Sequence, residues 1–355
     1  MKQVCAALLA LLFAHDCIAQ TARIMATSNI TAYVAPPTLY PDGAASNCLS
    51  GHFGVGGPAV TVCGADVPGC GAITAPCASP QYPIDVFYRT YDWVTQFAPT
   101  VQLASGSGAL QMYYPAIQIS GPLMGQPGSM PPLVVGASMP PFPIGNYNPF
   151  VIQADPSNHL GAFLTPCTHG LPCGKPAFSA SSGVGAKLSG VTLDTSLTPQ
   201  DAFDAFGSLI DVSNIGFGNA GPPGPGNYNL HMGCAWGATL IISGPLTDEG
   251  GSAASFLQAG ADCRVYPNNN GAPGLNIPVT FNGAPHFYTA LFQADHATLY
   301  LQGLTLSGAP TSPLGLLAVD TAAVQTASGG AGPHTCTSAQ FLGLSVNVQD
   351  NSSCR

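Results

Sequence analysis

The chain has 355 residues, and only 6% of them are Asp, Glu, Lys or Arg. Its formal net charge is −9 and it holds seven Lys and Arg residues, so it lacks the basic stripe that neutralises nucleic-acid phosphates. A nucleic-acid partner is therefore excluded. Its 46% hydrophobic content rules out a disordered chain, and its 43 glycines and 34 prolines predict many turns and few long helices.

The N-terminus has the pattern of a secretory signal peptide over residues 1–19. Lys2 supplies the positive start, residues 6–14 form a short apolar core, and Cys17 and Ala19 are small residues before a cleavage point at Gln20. No later segment has the uninterrupted apolar run of about eighteen residues that a membrane-spanning helix needs. We therefore expect a secreted protein, extracellular or in a cell wall, without membrane insertion.

Removal of the signal leaves ten of the twelve cysteines. An even number behind a signal peptide predicts disulfides, and the absence of a CxxC pair argues against a zinc site. The spacing fits local pairs of Cys167 with Cys173, Cys234 with Cys263 and Cys336 with Cys354, although sequence alone leaves the connectivity open. Asn29-Ile30-Thr31 and Asn351-Ser352-Ser353 are sequons for glycosylation in a eukaryote.

Residues 20–105 are predicted to be a Cys-rich N-terminal region, crosslinked through four cysteines between residues 48 and 77. Within it, residues 82–97 mix aromatic and β-branched residues in a way that suits a strand or a short helix. The main domain is predicted to extend over residues 106–355.

A hexad recurs in this domain, with apolar residues at its first, fourth and sixth positions and Gly or Asn at its third. The four copies are residues 188–193 (LSGVTL), 212–217 (VSNIGF), 301–306 (LQGLTL) and 341–346 (FLGLSV). Alternating apolar residues form short strands, and Gly or Asn allows the bend between two of them. Such repeats stack into a solenoid that buries a continuous apolar column. The alternative is a β-sandwich, in which similar hexads occur.

A second repeat leads to a family resemblance. Ile-Ser-Gly-Pro-Leu occurs at residues 119–123 and again at 242–246, each time after an alternating strand. With the preceding Tyr113-Tyr114-Pro115 and the later Val134-Val135-Gly136, the first copy resembles the opening of pectate-lyase-like proteins. The resemblance implies an all-β fold, a right-handed parallel β-helix. The usual Pro-Gly-x-Tyr turn is missing, and the insertions at residues 137–185 and 247–290 are expected to be loops or irregular coils.

The resemblance also implies action on acidic or neutral polysaccharides by hydrolysis, β-elimination or epimerisation. Hydrolysis needs carboxylates, and elimination needs a base and a cation beside the uronate. Glu249, the single glutamate of the chain, follows the second Ile-Ser-Gly-Pro-Leu copy, Asp211 flanks a predicted strand, and Arg264 lies near the proposed coils. These three residues are the predicted catalytic groups.

Other acidic and aromatic residues receive different predicted roles. Thr198-Pro199 has the pattern of a helix start, which would place Asp201 at the positive end of a helix over residues 198–208 and favours a capping role for it. The predicted sugar-binding residues are Trp236, His286, Tyr288 and Tyr300.

No cofactor or metal site is predicted, since the sequence has no P-loop, dinucleotide fingerprint or HExxH motif. Gly106-Ser107-Gly108 is only a fragment of the Gly-x-Ser-x-Gly pattern, so the serine-hydrolase elbow is absent. We expect a monomer that binds or processes extracellular polysaccharide as a glycosidase or lyase. The alternative is a non-catalytic cell-wall or extracellular-matrix protein with a structural or adhesive role.

Overall fold

The structure is a computed structural model. It describes residues 24–94, 97–120, 134–135, 150–165, 176–181, 184–194, 201–218, 230–250, 253–267, 277–301, 304–311, 317–320, 323–325, 346–348 and 353–354. Short strands dominate, because apolar and polar residues alternate over four or five positions between turn residues. They form three large parallel sheets and one small one.

The first large sheet has seven strands in the order in which the coils stack. They are β6 (Met112–Pro115), β10 (Ala162–Thr165), β13 (Thr192–Asp194), β16 (Ile215–Gly218), β19 (Leu246–Asp248), β22 (Ile277–Phe281) and β25 (Leu304–Gly308).

The second large sheet has eight strands. They are β7 (Ile117–Ser120), β11 (Phe178–Ser181), β14 (Phe203–Phe206), β17 (Leu230–Ala235), β20 (Ser255–Gly260), β23 (Phe292–Asp295), β26 (Leu317–Asp320) and β28 (Val346–Val348).

The third large sheet has eleven strands, of which the short β3 (Gly51–Phe53) pairs antiparallel with β5. The other ten are β2 (Ile30–Val34), β5 (Pro99–Gly106), β9 (Phe150–Gln153), β12 (Gly185–Ser189), β15 (Leu209–Ser213), β18 (Thr239–Ile242), β21 (Arg264–Pro267), β24 (Thr298–Tyr300), β27 (Ala323–Gln325) and β29 (Ser353–Cys354). The small sheet comprises β1 (Ile24–Ala26), β4 (Tyr91–Val94) and β8 (Val134–Val135).

The chain visits the seven-, eight- and eleven-stranded sheets in turn and then begins the next coil, so each strand pairs with the strand one coil away. This architecture is a parallel β-helix, and the predicted fold class is confirmed. The β-sandwich alternative is wrong, because β3 with β5 is the one antiparallel pair among the described strands.

The hexads lie at corners of the solenoid, as their glycine and asparagine predict. In the first two copies a strand of the eleven-stranded sheet turns at Gly190 (φ +70°) or Asn214 (φ +53°) into a strand of the seven-stranded sheet. In the third copy, residues 304–306 lie in β25 of the seven-stranded sheet, whereas residues 302–303 lie outside the described residues. The fourth copy lies outside the described residues except for Val346, which starts a strand of the eight-stranded sheet instead.

Three expectations about local structure are corrected or sharpened. Ile119 and Ile242 of the two Ile-Ser-Gly-Pro-Leu copies lie in different sheets, so the copies are not equivalent coil positions. The insertions at residues 137–185 and 247–290 contain strands of all three sheets and are therefore coils with irregular connections. The predicted helix over residues 198–208 is wrong, because Phe203 and Ala205 point into the core with the period of a strand.

The Cys-rich region contains the α-helix α1 (Gln81–Thr90), followed directly by β4. Disulfides join Cys48 to Cys63 and Cys70 to Cys77, and the predicted Cys234–Cys263 bond is confirmed. Cys167, Cys173 and Cys336 lie outside the described residues. None of the described helices has the length and apolar character needed to span a bilayer.

Among the described residues, the mostly apolar inside of the solenoid contains a buried histidine–aspartate pair. Leu164, Leu193, Phe217, Asp248 and Phe281 form one inward row, in which each residue pairs with the next coil's residue. The carboxylate of Asp248 therefore enters the core, where its Oδ2 lies 3.3 Å from Nδ1 of His231; both side chains are fully buried. The imidazole of His231 also stacks on the ring of Phe217 at 5.2 Å.

The contact between His231 and Asp248 predicts that substitutions of the two residues have non-additive effects on the free energy of unfolding. His231→Phe or Asp248→Leu alone leaves one buried polar group without its partner and should lower the free energy of unfolding by about 3–5 kcal/mol. The double variant places apolar side chains in the row and should recover most of that loss. Urea unfolding of the four proteins measures the coupling, and simply additive costs would contradict the account.

Candidate functional site

The predicted catalytic residues lie on two different outer faces. Glu249 directly follows β19 of the seven-stranded sheet, whereas Asp211 lies in β15 and Arg264 in β21 of the eleven-stranded sheet. The structure therefore does not bring Glu249 together with Asp211 and Arg264. A shared catalytic site for the three residues is therefore not formed, and a catalytic role for any one of them remains a prediction.

Glu249 is part of a polar cluster with two side chains from other coils. Its Oε1 lies 2.7 Å from Nε2 of His159, and Asn282 donates a hydrogen bond to its Oε2 at 3.1 Å. The hydrogen bond to His159 lowers the pKa of Glu249 and outweighs the opposing effect of burial. The ring of His159 fits against the sheet because Gly216 has no Cβ, which would lie 2.5 Å from its Cδ2. Glu249 is thus held as a carboxylate, which suits a general base better than a general acid.

On the eleven-stranded sheet, Asp211 is engaged in surface contacts. Its Oδ2 lies 3.7 Å from Nζ of Lys187, and Ser243 donates a hydrogen bond to its Oδ1. In the same outer row, Ile241 separates Asp211 from Tyr266. This row therefore gives Asp211 no second carboxylate as its neighbour.

Arg264 and Tyr300 are connected through one tyrosine. Arg264 forms a side-chain hydrogen bond with Tyr266, whose ring stacks on that of Tyr300 with centroids 4.8 Å apart. Burial is the main reason that the pKa of Tyr266 is raised. The arrangement is an aromatic ledge on the eleven-stranded face.

The other predicted sugar-binding residues lie at two corners. Trp236 follows β17 at the corner between the eight- and eleven-stranded sheets, is 72% exposed, and packs on the ring of Phe206 at 5.1 Å. His286 and Tyr288 lie in the connection from the seven- to the eight-stranded sheet, with their rings edge-to-face at 5.0 Å. Nδ1 of His286 is 2.8 Å from Oγ1 of Thr311.

Among the described residues, the outer face of the eight-stranded sheet carries a regular row of polar side chains. One outward row, which we call the polar row, crosses six consecutive coils with its members in direct register. It comprises Gln118, Ser179, Asp204, Gly233, Gln258 and Gln293. Strand spacing places successive members about 4.8 Å apart. The next outward row contains Phe206, two residues beyond Asp204 along β14, so the Phe206–Trp236 pair borders the polar row.

The polar row contains the acidic pair that the sequence assigned to helix capping. Asp204 hydrogen-bonds to Asp201, and the Oδ1 of Asp201 accepts a hydrogen bond from the amide of Leu230 at 2.9 Å. Oδ1 of Asp204 is buried and has no hydrogen-bond partner among the described residues. A Cβ at Gly233 would lie 2.8 Å from this atom, so the glycine makes room for the pair.

Burial, followed by the nearby charge of Asp201, raises the pKa of Asp204 to about 8. The pair therefore shares one proton at neutral pH, with Asp204 as the protonated member. Sequence reasoning missed this pair because the two aspartates were read on a helix. The alternation of Phe203, Asp204 and Ala205 was the available signal for a strand with its carboxylate outside.

Three potential metal ligands converge at one place in the described part of the chain, namely Asp66, Cys70 and Cys77. The two cysteines form a disulfide, and Asp66 accepts hydrogen bonds from the amides of Ala78 and Ser79 and from the Ser79 hydroxyl. The cluster is therefore explained as a structural crosslink.

No protein-family model matches the chain. No curated protein and no solved structure is significantly similar to it. Function is therefore inferred from the fold and from the side chains described above.

The acidic pair predicts a specific dependence of stability on pH. Asp204 stays protonated in the folded protein up to about pH 8, whereas its ordinary pKa is 3.8, so unfolding between these values releases a proton. The free energy of unfolding should therefore fall as the pH rises from about 5 to about 8. Asp204→Asn should reduce this slope, measured as Tm against pH.

Asp262→Asn is the matched control, since Asp262 is exposed and lies in a left-handed turn that asparagine tolerates. This control should keep the parent's slope. An Asp204→Asn protein with an unchanged slope would contradict the shared proton.

Proposed function

We propose that the protein is secreted and binds a neutral extracellular polysaccharide along the outer face of the eight-stranded sheet. The observation that carries this proposal is the polar row, which presents glutamine amides and a serine hydroxyl in direct register, with the buried Asp204 between them. A polymer of repeating sugars offers hydroxyl groups at regular intervals. Side-chain amides can both donate and accept hydrogen bonds to such groups.

The aromatic pair at the border of the polar row adds a stacking surface. Trp236 is largely exposed and is supported from behind by Phe206, so its ring is held without being covered. Amphipathic aromatic rings supply large contact areas at low conformational cost. Of the predicted sugar-binding residues, Trp236 is therefore the one best placed to contact a polymer bound along the polar row.

The charges of this face favour a neutral polymer over a polyuronate. As far as the structure describes them, its two outward rows contain Asp204, Asp295 and, in register with Asp295, Asp320, but neither lysine nor arginine; Asp201 adjoins them. The chain as a whole carries a net charge of −9. Like charges repel, so an acidic polymer gains nothing from these rows.

The compartment and the family resemblance support the same proposal. The signal-like N-terminus and the three described disulfides are typical of an oxidising, extracellular environment. The parallel β-helix agrees with the resemblance to pectate-lyase-like proteins, many of which act on polysaccharides. Membership of that superfamily remains part of the proposal.

Removal of the Trp236 ring tests the binding face. Trp236→Ala should weaken binding to a soluble β-glucan about tenfold, because truncation of a central aromatic contact typically costs more than 1 kcal/mol. Affinity electrophoresis or calorimetry measures the change. Pectin and alginate serve as acidic comparison polymers and should bind more weakly than the neutral polymer.

Tyr300→Ala is the matched control, since Tyr300 is an outward aromatic on the eleven-stranded face. It should bind like the parent protein. Loss of binding in Tyr300→Ala with retention in Trp236→Ala would place the polymer on the other face and contradict the proposal.

A second candidate function, proton donation to a glycosidic oxygen, is favoured by the acidic pair. Asp204 keeps its proton at neutral pH and can act as a general acid. The two aspartates are hydrogen-bonded to each other, much closer than the about 5–9.5 Å that separates paired carboxylates in glycosidases. The pair therefore acts as one donor rather than as an acid and a nucleophile.

Cleavage of the bound polymer should accordingly decline as the pH rises through about 8, where Asp204 loses its proton. Asp204→Asn should abolish cleavage while leaving binding intact, as measured by reducing-end release. Binding without any product in the parent protein would instead favour the non-catalytic cell-wall or matrix role.

A further inference from the structure

Three residues that are distant in the sequence form a serine–histidine–aspartate chain at one end of β5. Oγ of Ser107 lies 3.4 Å from Nδ1 of His52, and Nε2 of His52 lies 2.9 Å from Oδ2 of Asp155. The site is separate from the polar row, since His52 and Ser107 belong to or follow strands of the eleven-stranded sheet. Such a constellation is recognised by its geometry and not by its order in the chain.

Asp155 is fixed as a carboxylate that faces the histidine. Its Oδ1 accepts hydrogen bonds from the amide and hydroxyl of Ser157, and its own amide donates to Oγ of Ser105. Burial would raise the pKa of Asp155, yet the hydrogen bonds from His52 and Ser157 together lower it. The backbone of Asp155 also packs closely on Gly190. A Cβ at position 190 would lie 2.8 Å from the carbonyl carbon of Asp155. The first hexad thus positions this residue.

His52 is held in register by β3. It pairs with Ser105 of β5, and the disulfide of Cys48 anchors the chain just before this strand. With its Nε2 proton donated to Asp155, the imidazole presents Nδ1 as an acceptor to the Ser107 hydroxyl. This assignment follows from the two hydrogen-bond partners. His52 is therefore oriented to accept a proton from Ser107.

Ser107 is exposed on a tight turn between two glycines. A Cβ at Gly106 would lie 2.1 Å from the carbonyl oxygen of Leu110, and Gly108 has a φ of +64°. Within the described residues, the amides of Gly108 and Ala109 donate no hydrogen bond. These two N–H groups directly follow the serine, as oxyanion-hole donors do in hydrolases.

We infer that Ser107, His52 and Asp155 form an acyl-ester hydrolase site that takes small acyl groups. The small size follows from the exposure of Ser107 and from the modest apolar surface beside it. Leu110 ends the turn of Ser107, and Leu160 belongs to the 3-10 turn whose Gly161 packs on Gly106; both leucines are about two-fifths exposed. This rim suits a short acyl chain.

The chemistry balances with water as the second reactant. Ser107 Oγ attacks the ester carbonyl carbon while its proton passes to Nδ1 of His52, and the oxyanion accepts hydrogen bonds from the Gly108 and Ala109 amides. His52 then returns the proton to the departing alkoxide, so that an alcohol leaves and acyl-Ser107 remains. Water attacks this intermediate with His52 as base, and the carboxylic acid and free Ser107 are released. Asp155 positions His52 and does not touch the substrate.

Labelling with a fluorophosphonate probe tests the nucleophile in the whole protein. Peptide mapping should locate the probe on Ser107, and Ser107→Ala or His52→Ala should reduce labelling at least about a hundredfold. Ser307→Ala is the matched control, since Ser307 is exposed and contacts Thr280 instead of a histidine. Hydrolysis of a nitrophenyl acetate should follow the same order among the variants.

A cysteine variant provides a readout that does not depend on the ester chosen. In Ser107→Cys, His52 should favour the thiolate, so alkylation by iodoacetamide at neutral pH should be faster than in Ser307→Cys. Asp155→Asn in the Ser107→Cys background should shift the pH midpoint of alkylation if Asp155 positions His52. Circular dichroism confirms that each variant is folded.

Two results would overturn the inference. One is labelling of the folded parent protein at other serines but not at Ser107. The other is equal alkylation rates of Ser107→Cys and Ser307→Cys, unchanged by His52→Ala. Both outcomes leave polysaccharide binding on the eight-stranded face untouched, so the two proposals fail separately.

Discussion

In-register parallel pairing between neighbouring coils is the constraint on which the rest of the structure depends. Because side chains alternate along a strand, each register sorts whole rows of residues to the inside or the outside of the solenoid. The inward row from Leu164 to Phe281 is buried in this way, and its polar member, Asp248, is carried into the core with it. A coil cannot bury this column alone, so stability comes from stacking.

The same register organises the outer faces. Each has a different chemistry: Glu249 and His159 interact on the seven-stranded face, tyrosines stack on the eleven-stranded face, and hydrogen-bonding groups align on the eight-stranded face. The corner that holds Trp236 borders the last of these faces. A surface that repeats once per coil fits a repeating polymer, whereas the Ser107 site sits at one point and fits a small group.

Local patterns in the sequence predicted where the chain turns at the corners of the solenoid. They did not predict which side chains meet on its outer faces. Gly190 and Asn214 mark bends because they adopt positive φ, which is a local property and is visible in a hexad. Glu249 was found as an isolated carboxylate, but its partner His159 lies 90 residues earlier. The elbow pattern was absent around Ser107, and the triad arises only when coiling brings Asp155 beside His52, 103 residues away. Which residues become neighbours depends on the number of residues in each coil. The irregular connections between strands make that number hard to predict from the sequence.

Fluorescence of Trp236 gives the most direct test of the proposed binding face. The chain has two tryptophans, so Trp93→Phe leaves Trp236 as the single reporter. Titration of this variant with soluble β-glucan should shift the emission to shorter wavelength and protect it from acrylamide quenching, because a bound sugar covers the exposed ring. Binding of the polymer, verified by affinity electrophoresis, with unchanged Trp236 emission would contradict the account.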